Sequence, residues 1–452
     1  MSRLTGPMRS AAGLVLALTV GACASDIQPE PSTEPGSTIP QPVAPEDLEL
    51  APEGDRVDLA LPTFTNPTEI TNPLFPVSSQ HSVLLLGTVD DLPFRTEVTL
   101  LPTTRIISWG GQQVEVLVSQ YVAFLDGRLH EVAYDLYAQA DDGSVWYFGE
   151  DVYNFADGAI VDTHGTWTAG VDGPAAMIMP GEPRVGDVYR PENIPGFVFE
   201  EVTVRAVDET LDGPLGPIEG GLLVEELHME GAVEEKSFAP GYGEFFTEGD
   251  GDLEALALAV PTDAVDDPPP AELEAMTRAA NEALDATAAD EWAAAATAAD
   301  ALEAAWAAYQ PTGVPRLIEP LLDETIRDLR TAIGDEQSLD ARQSAIDAAR
   351  LVLDLELRHQ PVTEIDLARF GVWLSQLELD AGAEELAHVN GDYFALDYVR
   401  DRILHALDPA DLVRINLALE ELLGAIQEED FEAVLEIVAG MRETLAASPA
   451  AP

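Results

Sequence analysis

The chain has 452 residues, with 83 Asp plus Glu against 22 Lys plus Arg and a formal net charge of −61. A surface so negative repels phosphate backbones and has no basic patch to release counterions, which excludes nucleic acid as a partner. It equally excludes an anionic lipid surface met through the folded part. Cys23 is the only cysteine and Lys236 the only lysine.

In chain order, residues 1–22 read as a secretory signal. Arg3 and Arg9 supply its positive end, and residues 11–20 form an apolar run of about ten residues, too short to span a bilayer. Met8 also heads a complete short signal. The run ends at Val20-Gly21-Ala22-Cys23, which resembles a bacterial lipobox. That resemblance implies acylation of Cys23, cleavage before it, and a lipid-anchored protein of the cell envelope facing the periplasm or the exterior. Each buried methylene contributes ~0.8 kcal/mol, so two or three acyl chains make a durable anchor. Ala24 follows, not the Asp that resembles an inner-membrane retention signal. With the thiol acylated, disulfides, thiolate catalysis and cysteine-ligated metals are excluded. The covalent lipid at Cys23 is the one prosthetic group expected.

Residues 23–60 hold the lipidated cysteine and a Pro- and acid-rich stretch with too little apolar surface to order itself, read as a linker. Residues 61–262 are expected to form an antiparallel β domain. Asp-Gly pairs at 126–127, 142–143, 157–158 and 172–173 are hairpin signals, since both residues tolerate positive φ. Between them lie strand-like runs at 114–124, 129–138, 144–155 and 159–167. Val114, Val116 and Val118 alternate with Gln113, Glu115 and Ser119, as in a sheet with one covered face. Long strands and tight turns favour a curved meander or half-barrel.

The domain ends on Ser237-Phe238-Ala239-Pro240-Gly241-Tyr242-Gly243-Glu244-Phe245. This resembles the closing aromatic-Ala-Pro-Gly-x-Gly hairpin in the half-barrels of bacterial lipoprotein-sorting factors and their uncharacterised relatives. The resemblance implies a curved sheet able to shelter an acyl chain or another apolar ligand.

Residues 263–270 (Asp263 to Pro270) read as a Pro/Asp hinge, 271–447 as an α-helical domain and 448–452 as a disordered tail. Four helical stretches, 272–306, 315–357, 365–407 and 410–445, break near Asp290, Asp335, Ala383 and Asp430 at about 45-residue intervals. The fold class is therefore multidomain α+β: an N-terminal antiparallel β meander or half-barrel, then an all-α helical-hairpin bundle or short solenoid.

No nucleophile elbow, phosphate loop, dinucleotide fingerprint or zinc helix is present. Ser79 and His81 lie two apart on a strand-like run and read as exposed polar residues. Two carboxylate–imidazole pairs, Glu356 with His359 and Glu385 with His388, sit at i, i+3 and resemble part of a di-iron carboxylate ligand set. That set needs further donors, for which Glu378 and Asp401 are available. Asp141, Asp142, Glu150 and Asp151 offer hard oxygens for calcium but lack a loop spacing for it. Trp146, Tyr147, Phe148 and Trp167 head the densest aromatic region, either core or the wall of a ligand groove. The expected function is non-catalytic: a membrane-anchored lipoprotein that binds an apolar ligand or a protein partner through the curved β domain, with a helical interaction domain. A metal-handling helical bundle is the alternative and an extracytoplasmic hydrolase the third.

Overall fold

The computed structural model describes residues 48–249 and 251–447. The expected signal, Cys23, most of the linker and the tail lie outside the described residues. Fifteen antiparallel strands form one sheet. The first group is β1 (Ser82–Val89), β2 (Leu92–Trp109), β3 (Gln112–Leu125), β4 (Arg128–Gln139), β5 (Val145–Ala156) and β6 (Ala159–Asp162). Short pieces follow, β7 (Trp167–Thr168), β8 (Ala176–Met179), β9 (Val188–Tyr189) and β10 (Asn193–Ile194). The last group is β11 (Val198–Asp212), β12 (Pro217–His228), β13 (Val233–Ala239), β14 (Gly243–Gly249) and β15 (Asp252–Val260). The strand order β10-β11-β12-β13-β14-β15-β1-β2-β3-β4-β5-β6 is a meander whose first and last strands pair in the middle of the sheet.

Three of the four Asp-Gly pairs close hairpins, with Asp126 and Gly127 at φ 49° and 73° and Asp157 and Gly158 at 50° and 71°. The pair at 172–173 lies in a loop instead. Two further hairpins use Asp90-Asp91 and Gly110-Gly111, all four residues left-handed. The expected strand over 159–167 is broken. Asp162 accepts hydrogen bonds from the His164 amide and from Asn154, which turns the chain between β6 and β7.

Eight helices follow: α1 (Ala271–Ala288), α2 (Trp292–Tyr309), α3 (Ile318–Gly334), α4 (Ser338–Glu356), α5 (Val362–Gly382), α6 (Leu386–Ile403), α7 (Pro409–Gln427) and α8 (Phe431–Ala447). They pair as four hairpins, and each hairpin turns on one acidic residue at positive φ: Asp290, Glu336, Glu384 and Glu429. The next amide reaches back to the helix carbonyl in every case, as Glu291 to Ala286, Gln337 to Ala332, Glu385 to Asp380 and Asp430 to Ala425. This is the Schellman closure, with an acid where glycine is usual. The packing resolves the choice left open by the sequence. Helices α1–α4 close on themselves around one core and α5–α8 around a second, giving two four-helix bundles joined along α4 and α5.

Both bundles cover the convex face of the sheet. The first packs on Leu84, Leu86, Leu258 and Val260, and the second on Val122, Phe124, Leu129 and Val132. The one-face alternation therefore holds only in the first half of β3. Glu115 is exposed there, whereas Ser119, Gln120, Val122 and Ala123 are all buried. Neither expected flexible segment is free along its whole length. Asp58 is buried, pairs with Arg56 at 2.6 Å and accepts the Arg190 amide, so the chain joins the fold before residue 61. In the hinge, Asp263 accepts from Tyr242 and the Ala259 amide, and the Val265 amide donates to the Arg358 carbonyl.

The two halves also meet through a buried ionic cluster. Arg95 and Glu97 of β2, Asp354 of α4, Asp366 and Arg369 of α5 and Arg402 of α6 form it. Three guanidinium groups balance three carboxylates, so the cluster is neutral. Burial alone would raise Glu97, but Arg369, Arg95 and Arg402 hold it well below the ordinary carboxylate range.

Candidate functional site

With helices on the convex face, the concave face is left to line a cavity of about 410 Å³. That volume lies in the range of small-molecule sites. Strand alternation decides what points inward. On β2 the outward residues Arg95 and Glu97 enter the ionic cluster, while Phe94, Val98 and Leu100 face the cavity. Val83 and Leu85 do the same on β1, as do Ser119 and Tyr121 on β3 and Asp135 and Tyr137 on β4. The segment before β1 supplies Phe75, Val77 and Gln80, and the hairpin of β13 and β14 supplies Lys236, Tyr242, Gly243 and Glu244. Gln80 donates to the Tyr242 carbonyl, and Gly243 turns beside that same glutamine and Pro76 at φ 75°, a conformation that favours glycine. The motif that resembled a half-barrel closure thus forms part of the cavity rim.

The wall is apolar near β1 and β2 and polar opposite. Lys236, the sole lysine, lies 2.7 Å from Glu226 and 4.0 Å from Glu244. His228 stands between Glu200 at 3.4 Å and Glu234 at 3.3 Å. Burial would lower His228, but these two carboxylates outweigh it and push it up to about 10. Glu226, buried and beside Glu200, is pushed up to about 8. Glu226, His228 and Glu234 each offer an atom within 4.8 Å of the others, a spacing a metal could use. The ammonium of Lys236 and the imidazolium of His228 already supply cations there.

No protein-family model matches this chain. No curated protein matches it either. Among the described residues, no helix is long and apolar enough to cross a membrane.

The residues singled out from sequence fall elsewhere. Trp146, Tyr147, Phe148 and Trp167 are all buried in the core of the β domain and none lines the cavity. Other rings cover them: Trp109 packs on Trp146, Phe64 and Trp109 on Phe148, and Tyr137 and Trp167 on Tyr147. Tyr147 still touches the site indirectly, since its hydroxyl donates to Asp135 at 2.7 Å. The two carboxylate–imidazole pairs are not brought together. Glu356 ends α4 and His359 lies in the turn before α5, whereas Glu385 precedes α6 and His388 lies within it, so the pairs flank opposite ends of α5, about 30 Å apart along a helix of this length. Glu356 instead accepts from Thr277, His359 lies 3.3 Å from the Asp267 carbonyl, and His388 lies 3.9 Å from Asp380. Glu378 pairs with Arg442, and Asp401 accepts from Tyr134. Of the four acids considered for calcium, Asp141 caps Thr63 and Thr65, Asp142 binds Ser144, Asp151 pairs with Arg105, and Glu150 is half-buried beside Glu192.

Sequence reasoning missed Lys236, Asp135 and Glu254 as site residues. One signal was present: a lone lysine flanked by Glu234, Glu235 and Glu244 in a strand-like run.

Proposed function

We propose that this chain is a lipid-anchored protein of the cell envelope, tethered through Cys23, that holds a small amphiphilic ligand in the concave cavity without transforming it. The cavity carries this reading. It joins an apolar wall of Val83, Leu85, Phe94, Val98 and Leu100 to a polar end of Tyr121, Asp135, Lys236 and Glu254. Such a division orients a molecule with one apolar and one polar end. The helical half acts in this reading as a buttress, because its apolar faces are taken up by the two bundle cores and the convex sheet. The half-barrel resemblance and the lipobox agree with it, the first in shape and the second in address.

Native mass spectrometry of the chain purified from its own cells tests the proposal. The expected spectrum contains a noncovalent adduct of small-molecule mass that disappears in Val98→Trp, where an indole fills the cavity. A wild-type spectrum that shows only the bare chain defeats it.

A further inference from the structure

The cavity has an unequal charge lining. Asp135, Glu234, Glu244, Asp252 and Glu254 face it, against the single base Lys236. Three of these acids are accounted for. Glu234 faces His228, Glu244 accepts from Thr247 and lies near Lys236, and Asp252 caps the Asp90 amide at the rim. Asp135 and Glu254 have no ion pair among the described residues, and Oε1 of Glu254 is shut off from solvent without a hydrogen-bond partner. The cluster between the convex side and the helices behaves differently, matching each of its carboxylates Glu97, Asp354 and Asp366 with an arginine. Leaving buried carboxyl groups without a cation costs stability, and such groups mark sites that receive something.

We propose that the cavity takes an organic ammonium ion, its charge beside Glu254 and its apolar body against Leu85, Phe94 and Val98. This rests on the reading that the cavity is a ligand site. An anionic head group meets five carboxyl groups, with Lys236 already held by Glu226 at 2.7 Å. A neutral head group leaves Glu254 unpaired. The ring of Tyr121, which lines the cavity near Glu254, suits a cation further. In the empty cavity the proton is the substitute. Burial, with Glu244 nearby, pushes Glu254 up to about 7, and burial pushes Asp135 to the same value. The groups that face Glu254 are Glu244, Thr96, Lys236, Glu131 and Tyr121; those that face Asp135 are Tyr147, Tyr137, Glu244, Glu131 and Glu150. An ammonium entering beside Glu254 displaces its proton.

The test is isothermal titration calorimetry of the full chain carrying Cys23→Ser, near pH 7, with octylamine, octanol and octanoate. Repeating the amine titration in buffers of different ionisation enthalpy counts released protons. Octylamine is expected to bind at least about tenfold more tightly than octanol (~1.4 kcal/mol), with octanoate weakest and protons released on amine binding. Glu254→Gln removes most of the amine preference and leaves octanol binding in place, whereas the exposed Glu432→Gln changes nothing. Octanoate equal to octylamine, or an amine preference undiminished in Glu254→Gln, overturns the charge assignment. If octanol binds as tightly as octylamine and Val98→Trp abolishes both, the cavity reading stands and this inference fails. Binding by none of the three probes removes both. Should Val98→Trp not fold, the Glu254→Gln comparison still decides.

Discussion

Arg402 on α6 reaches across the domain boundary to Glu97 on β2 at 2.6 Å, its guanidinium 1 % exposed, and its Nε donates to Gln120 on β3. This contact makes the helices part of the same folding unit as the sheet. Truncating one member of a buried, balanced cluster leaves a charge without a partner. Arg402→Ala is therefore expected to lower stability by ~3–5 kcal/mol in urea unfolding. The exposed Arg105–Asp151 pair provides the contrast, with Arg105→Ala costing under ~1 kcal/mol. Equal losses at both positions would show that the cluster does not join the halves.

Gly158 bears on the same boundary. Its turn between β5 and β6 lies against the start of α6, with its carbonyl accepting from Asn390 and a Cβ there meeting the Ala387 carbonyl at 1.7 Å. Gly158→Ala adds both this clash and a left-handed alanine, for an expected loss of ~1–3 kcal/mol. Hydrogen exchange should show faster exchange in α6 and unchanged protection in α1 and α2. Uniform protection would place the strain elsewhere.

Lys236→Met leaves Glu226 buried without its ammonium. Glu226 is already pushed up to about 8, so near pH 7 it keeps its proton and the expected loss is ~1–3 kcal/mol, read by chemical denaturation. A variant as stable as wild type would mean that Glu226 is satisfied without the lysine.

The pH dependence has a definite sign. Burial pushes Glu131, Asp135 and Glu254 up to about 7, whereas an unfolded carboxyl titrates near ~4. Between those values the native state holds protons that the unfolded chain has released, so stability falls as pH rises. His228, raised to about 10, adds stability that is complete below its unfolded value near ~6.5 and is lost as pH rises toward 10. Glu97 works the other way, its stabilisation being lost only in acid, as pH falls through its depressed value. The melting temperature should decline from pH 5 to pH 8, less steeply in Glu254→Gln. A flat or rising profile contradicts the assignment of these groups.

Local chemistry made much of the fold legible. Asp-Gly turns located three hairpins, and the acidic breaks located all four helical hairpins, because left-handed closure needs only a few residues. The bundle closure was not legible, since the same apolar stripe on α7 serves a bundle or a solenoid. The convex face misled for a related reason: Arg95, Glu97 and Gln120 alternate like solvent-facing residues, but their charges are matched by Asp354, Asp366, Arg369 and Arg402 from far along the chain. The aromatic run at 146–148 fits both cores and grooves, because large rings dominate each, and packing against Phe64, Trp109 and Tyr137 decides for core. Asp135 and Glu254 gain their character only from burial, which neighbouring residues do not reveal.

A ligand-holding role requires the concave cavity to be occupied in the native setting. Native mass spectrometry of wild type and Val98→Trp, both purified from the host envelope, addresses this most directly. The expected result is a small-molecule adduct on wild type that Val98→Trp lacks. Bare chains of matching occupancy in both would contradict it.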